Sequence, residues 1–216
     1  MRENGVAHAW LEPDRVDDET TVIRPALRAA DLLPLAIFER RRSELQAEVL
    51  SQRKDRVVQL GPSATLNFEN EVTVRFRVQE ILREGAISGD AAVQAEIDVY
   101  ASLIPDGTNL KAAFRLDFAG AIERGLRLAE FSGIESYVWV QVEGAARVYA
   151  LADRDVQLEE ADQNAAQHYL RFELGAEGAR SLRQGRSLSF GVDHPAYSAR
   201  VLAREDVRKS LLQDLR

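Results

Sequence analysis

A chain of 216 residues, 45% of them hydrophobic, is long enough to bury a real core and too apolar for whole-chain disorder. Its formal net charge of −7 argues against a broad footprint for nucleic acid or an anionic membrane, and no apolar run reaches the roughly 18 residues of a bilayer span. Cysteine is absent, which excludes disulfides, thiolate zinc sites, iron–sulfur clusters and cysteine nucleophiles within this chain; any metal would fall to Asp, Glu and the three histidines His8, His168 and His194.

Residues 1–22 are polar and acidic without a sustained period, and they read as a flexible extension on which Trp10 is the one candidate anchor. No apolar signal-peptide core occurs there, so the cytoplasm is the expected compartment. Residues 23–216 read as one domain. After Pro34, the residues Leu35, Phe38, Leu45 and Val49 recur at helical spacing to about Lys54. Arg40, Arg41 and Arg42 interrupt this stripe, but Glu39, Glu44 and Glu48 interleave with them, as on a solvated face. Two β-prone runs, 57–60 and 64–68, flank Gly61-Pro62 and predict a hairpin or bent strand. Val72, Val74, Phe76 and Val78 alternate as in a strand, whereas Val74, Val78, Ile81 and Leu82 form a helical stripe. A cap at Asn70, helix formers after Gln79 and a glycine at position 85 decide for helix. A further helix is predicted over 90–103 with Asp90 as its cap.

Ile104-Pro105-Asp106-Gly107-Thr108-Asn109 is a turn, because proline presets φ and glycine permits positive φ. The strand 110–118 that follows points Leu110, Ala112, Phe114, Leu116 and Phe118 one way and Lys111, Arg115 and Asp117 the other, as in a sheet with one covered face. A short helix at 121–131 leads to strands 137–142 and 147–151 around Gly144. An acidic linker, 153–162, precedes a strand opened by His168 and running to Leu174. A helix at 176–184, a strand at 187–192 ended by Asp193-His194-Pro195 and a helix at 203–213 complete the chain. This order predicts an α+β fold, a single domain with a mostly antiparallel sheet and helices packed on one face, with Phe114 and Trp139 in the shared core.

No glycine-rich phosphate loop, G-x-S-x-G elbow or H-E-x-x-H pair is present. Isolated polar residues remain as candidates. His168 shares a strand face with Leu170 and Phe172, where it serves either as a metal ligand or as a partly buried histidine donating to a carbonyl. Arg171 and Glu173 lie on the opposite face and are expected to pair with strand neighbours. Asp193 could orient the imidazole of His194, or the Asp-His-Pro run could simply end a strand. Glu69 and Glu80 are the remaining carboxylates singled out. If strands 168–174 and 187–192 were antiparallel neighbours, His168 and His194 could reach one ion at ~2.1 Å; as parallel neighbours they would stand roughly 20 Å apart.

Gly61-Pro62, Phe68-Glu69-Asn70, Gln79-Glu80 with Leu82-Arg83, the run IPDGTNLKA, His168 to Glu173 and Gly191 to Pro195 together resemble the signature of a bacterial family catalogued as domain of unknown function 3501. The resemblance covers most of residues 32–197. Departures occur at Arg77 and Ile81, where the family often has Gln and Met, and at Asn164-Ala165, where it has a Thr-Ser pair. Such proteins tend to be encoded beside rubrerythrin-like and iron–sulfur oxidoreductases, which implies an accessory role in redox metabolism or peroxide defence. The leading expectation is therefore a non-enzymatic cytoplasmic binding or accessory protein with a redox-protein partner, without nucleic acid or membrane. The alternative is a cysteine-free metal-dependent enzyme or metal-binding protein using His168, His194 and Glu69 or Glu80. A homodimer formed through one sheet face is a third expectation. The sequence specifies no cofactor.

Overall fold

The corner at residues 68–70, where a strand turns into a helix, sets the frame. In the computed structural model, which describes residues 27–152 and 165–216, the strand β2 (Ala64–Phe68) ends there and helix α2 (Glu71–Glu84) begins. Asn70 caps α2: its side chain accepts from the Thr73 amide at 2.9 Å, and its own amide donates to the Thr73 hydroxyl at 2.9 Å. At the other end Gly85 keeps φ at −78°, and Ala86 takes the left-handed conformation at φ 48°. The Ile87 amide closes the cap on the Leu82 carbonyl at 2.9 Å. Gly85 is not the left-handed residue predicted; a Cβ there would instead press on its neighbours, 3.0 Å from the Ile87 side chain and 3.2 Å from the Ile81 carbonyl.

Helix α1 (Leu35–Lys54) starts behind Pro34 and packs on α2 through Phe38 against Phe76, with ring centroids 5.7 Å apart. Helix α3 (Asp90–Ala101) follows α2; its cap position is Gly89, and Asp90 is its first residue. The apolar stripe of α2 and the inner face of α3, namely Val74, Val78, Ile97 and Tyr100, bury against Ala113 and Tyr169 of the sheet below. That sheet has the order β1-β2-β3-β7-β6, built from β1 (Val57–Leu60), β2, β3 (Asn109–Asp117), β7 (Ala165–Glu173) and β6 (Leu151–Ala152), all antiparallel. A second antiparallel sheet has the order β5-β4-β8-β9, from β4 (Val138–Val142), β5 (Val148–Tyr149), β8 (Leu188–His194) and β9 (Tyr197–Leu202). The chain is thus a single α+β domain of three layers, with the first sheet in the middle. Leu66, Phe114 and Phe172 of the middle sheet meet Val138, Val140 and Phe190 of the outer one in the main core. Helices α5 (Gly175–Arg183) and α6 (Glu205–Leu212) add Ala179, Leu182, Val207 and Leu211 to it. Helix α4 (Ala121–Glu130) reaches it through Leu128 and the Phe131 that follows.

Several sequence expectations change here. Strand β3 is covered on both faces over most of its length, and Lys111 is only 9% exposed, because the helix layer lies over the face that alternation left open. The predicted return strand 147–151 splits at Ala150: Val148–Tyr149 pair with β4, and Leu151–Ala152 pair with β7 in the other sheet. The Asp-His-Pro run does end a strand, with β8 closing at His194, but through Pro195-Ala196 the chain re-enters the same sheet as β9, which sequence patterning missed. His168 lies in the interior of β7 rather than at its start. Strands β7 and β8 belong to different sheets, so neither pairing direction expected for them applies. At the seam opposite Ala150, the Tyr197 hydroxyl donates to the Leu60 carbonyl and accepts from the Ser63 amide at 3.2 Å. Gly61 admits that hydroxyl: its φ is +76°, and a Cβ would lie 2.6 Å from it. Trp139 is fully buried, yet it points away from the inter-sheet core into the outer face of the second sheet, opposite Gly191. The 1–22 extension with Trp10 and the 153–162 linker lie outside the described residues.

Candidate functional site

A buried polar cluster grows from the same corner. Glu69 continues the helix-facing side of β2, and its amide donates to the Lys111 carbonyl of β3 at 2.9 Å. One carboxylate oxygen accepts from the Thr73 hydroxyl at 2.5 Å and the other from Arg77 Nη2 at 2.6 Å. Thr73 and Arg77 lie on α2 at positions i+4 and i+8 from Glu69, so one helix face delivers both. Arg77 reaches down with Nη1 to the Tyr169 hydroxyl of β7 at 2.7 Å, and Gln167 Nε2 meets the same oxygen at 2.6 Å. Burial alone would lower the Arg77 pKa, but the Glu69 carboxylate and Tyr169 outweigh it and hold the guanidinium above its ordinary range. Burial pushes the Tyr169 phenol up despite Arg77 beside it. Chemically, the cluster is a neutralised pair whose acceptors are occupied. Both Glu69 oxygens are engaged by Thr73 and Arg77, and the members that reach solvent are Arg77, with 22% of its side chain exposed, and the exposed Gln167.

Beneath it, Arg56 anchors the corner to the C-terminus. Buried Arg56 donates to the Phe68 carbonyl at 3.1 Å, the Glu69 carbonyl at 2.9 Å, the Ser210 carbonyl at 3.2 Å and the Asp214 carboxylate. Burial holds the Asp214 carboxyl above its ordinary range even with Arg56 in contact.

The other predicted residues are dispersed. Glu80 clamps α2 to α1 by accepting from Arg42 through both oxygens, at 2.8 and 2.7 Å, and from Arg83 at 3.4 Å; Arg42 holds its carboxyl below the usual range. Arg171 pairs with Glu173 on its own strand at 2.8 Å, and Glu173 also accepts from Asn109, directly opposite on β3, at 3.4 Å. Asp193 accepts from Arg147 and, at 3.3 Å, from the Tyr149 hydroxyl; it does not orient His194. His194 is buried between Tyr137 and Phe131. Its Nδ1 accepts the Ala196 amide at 3.2 Å, which assigns the ring proton to Nε2, facing the Ser132 carbonyl at 3.4 Å. His168 stands opposite Phe114 and faces the inter-sheet core, with ring centroids 6.5 Å apart. Glu69 faces the helix layer on the opposite side of that sheet, and His194 belongs to the other sheet. The structure therefore does not bring His168, His194, Glu69 and Glu80 together, and no group of three or more His, Asp or Glu suited to a metal occurs among the described residues.

Sequence reasoning missed Arg56, Arg77 as a cluster member, Tyr169, and the surroundings of Trp139. Only the last had a local signal, the glycine inside the strand run Phe190-Gly191-Val192, which marks a close approach.

The profile of a family described as "Protein of unknown function (DUF3501)" matches residues 26–215. A crystal structure at 1.90 Å of a novel protein of unknown function from Burkholderia pseudomallei K96243 is similar to this chain, with 38% identity and a TM-score of 0.81, over 88% of this chain and 100% of that one. No curated protein matches the chain. No helix among the described residues is long and apolar enough to cross a membrane.

Proposed function

We propose, for a chain that belongs to the DUF3501 family of proteins of unknown function, a non-enzymatic role as a cytoplasmic accessory protein that binds a redox protein of the rubrerythrin or iron–sulfur oxidoreductase kind. The observation that carries this reading is the engagement of the polar candidates: Glu69, Glu80, Arg171, Glu173, Asp193 and His194 each have a partner within the chain. An enzyme needs a base, acid or nucleophile turned toward a substrate. Among the large apolar side chains that the described residues leave exposed, the two most exposed share one helix. On α4, Ile122 is 85% and Leu126 71% exposed, with Ala129 one turn further, while Leu128 points back to the core. Ion pairs of Arg127 with Glu123 and Glu130 rim the stripe. Anchors at i, i+4 and i+7 with a polar rim suit a helix laid into a partner's groove. A chain without cysteine takes part in redox chemistry most simply through such a partner.

The test is calorimetric titration of the untagged protein against a purified rubrerythrin-like protein and a purified iron–sulfur oxidoreductase. Micromolar binding to one of them, weakened at least about tenfold by Leu126→Glu with melting unchanged, is expected. No binding to either overturns the partner reading. A dimer in sedimentation that Leu126→Glu dissociates would give the α4 stripe to a second copy of this chain. Stoichiometric metal in protein never exposed to a metal resin would move the assignment to a metal-binding protein.

A further inference from the structure

The outer face of the second sheet carries an arrangement that the partner reading does not use. Across its four strands one row runs Tyr149, Trp139, Gly191, Arg200. Glycine in the middle of a strand is unfavourable, and here the reason for it is geometric. A Cβ at position 191 would stand 2.2 Å from Trp139 Cζ2, so the missing side chain is the seat of the indole. Two guanidiniums gather on that ring, Arg147 with Cζ 4.2 Å from the centroid and Arg200 at 5.9 Å. Among the described residues one carboxylate answers them. Asp193 accepts from Arg147 and from the Tyr149 hydroxyl, whereas exposed Arg200 makes no ion pair among the described residues. The Trp139 Nε1–H is buried without an acceptor there.

From these contacts we propose that the Trp139 platform is a binding site for a carboxylate ligand, held between Arg147 and Arg200. Three features support it. The two like charges on one ring leave a net positive row, which a second anion would neutralise. An arginine already held by an aromatic face loses little rotamer freedom when its planar edge takes a carboxylate. The Asp193 carboxylate shows which oxyanion geometry Arg147 and Tyr149 accept, and it stands as a built-in competitor for the ligand.

The chain has two tryptophans, so Trp10→Phe leaves Trp139 as the sole indole reporter. In that background, fluorescence is titrated with succinate, citrate and inorganic phosphate at constant ionic strength. The expected result is a saturable change with the carboxylates. Arg200→Gln weakens it at least about tenfold, as loss of a charge-assisted contact does. Asp193→Asn strengthens it by freeing the edge of Arg147. Arg200→Lys, which keeps the charge but loses the planar fork, also weakens it and serves if the glutamine variant melts early. A linear, non-saturating response, an affinity unchanged in both Arg200 variants, or saturation by phosphate without the carboxylates would each overturn the proposal.

Discussion

Arg56→Met offers the sharpest test of how the corner at Glu69 is held. Methionine keeps most of the volume but removes every donor from a site where Arg56 is buried and Asp214 nearly so. Two backbone carbonyls at the strand–helix corner, one in α6 and the Asp214 carboxylate then lose their partner together. Adding each bond separately would overshoot, because the groups share one guanidinium and relax together. Removing one member of a buried ion pair costs about 3–5 kcal/mol, largely the cost of the charge left behind. With an m-value near ~2 kcal/mol/M, the urea midpoint should fall by about 2 M with the slope unchanged. Arg56→Met combined with Asp214→Leu should recover most of that loss, since a packed apolar pair is often neutral against a buried ionic one. The pH dependence carries its own sign. The Asp214 carboxyl is raised in the folded state above its ordinary value of 3.8, so its contribution is fully present below that value and is lost as pH rises through the folded value. The stability of wild type relative to Asp214→Asn should therefore decline as pH rises through that window. A cost below about 1 kcal/mol for Arg56→Met, or a double variant no more stable than the single one, would refute the reasoning.

Trp139→Ala should cost about 3–5 kcal/mol in urea unfolding even though the ring lies outside the inter-sheet core, because its whole surface is buried. Gly191→Ala should be destabilising as well, by about 1–3 kcal/mol, since the indole must move to admit a Cβ; a neutral effect would mean the ring is not seated there. Tyr169 should ionise above the ordinary tyrosine range in an ultraviolet pH titration compared with Tyr169→Phe, since burial outweighs Arg77; a midpoint at or below 10 would contradict this. Glu205, pulled down to about 2 first by Arg208 and then by Lys209, supports α6 at pH above its ordinary 4.5, and that support is lost as pH falls through about 2. Carboxyl NMR with a Glu205 midpoint near 4.5 would show the pair with Arg208 to be absent in solution.

What the sequence by itself determined is whatever neighbouring residues decide. Asn70 with Thr73 three residues on, the 74-78-81-82 stripe and the helix formers after Gln79 specify α2 without help from the rest of the chain, because caps and side-chain period are local. Strand β3 and the hairpin at Gly61 were legible for the same reason. The candidate site was legible only in part: Glu69 could be singled out, but its partners could not. Arg77 is eight positions away and Tyr169 lies ninety-two beyond Arg77, while Arg56 meets Asp214 across 158 positions. No local pattern encodes such pairings, which form when the helix layer closes over the middle sheet and α6 comes back to the corner. Tertiary structure alone also decided that Trp139 faces outward. Alternation puts Trp139 opposite Val138 and Val140, but only the pairing of β4 with β8 brings Gly191 beneath it, and only then can so large a side chain be buried on a sheet's outer face.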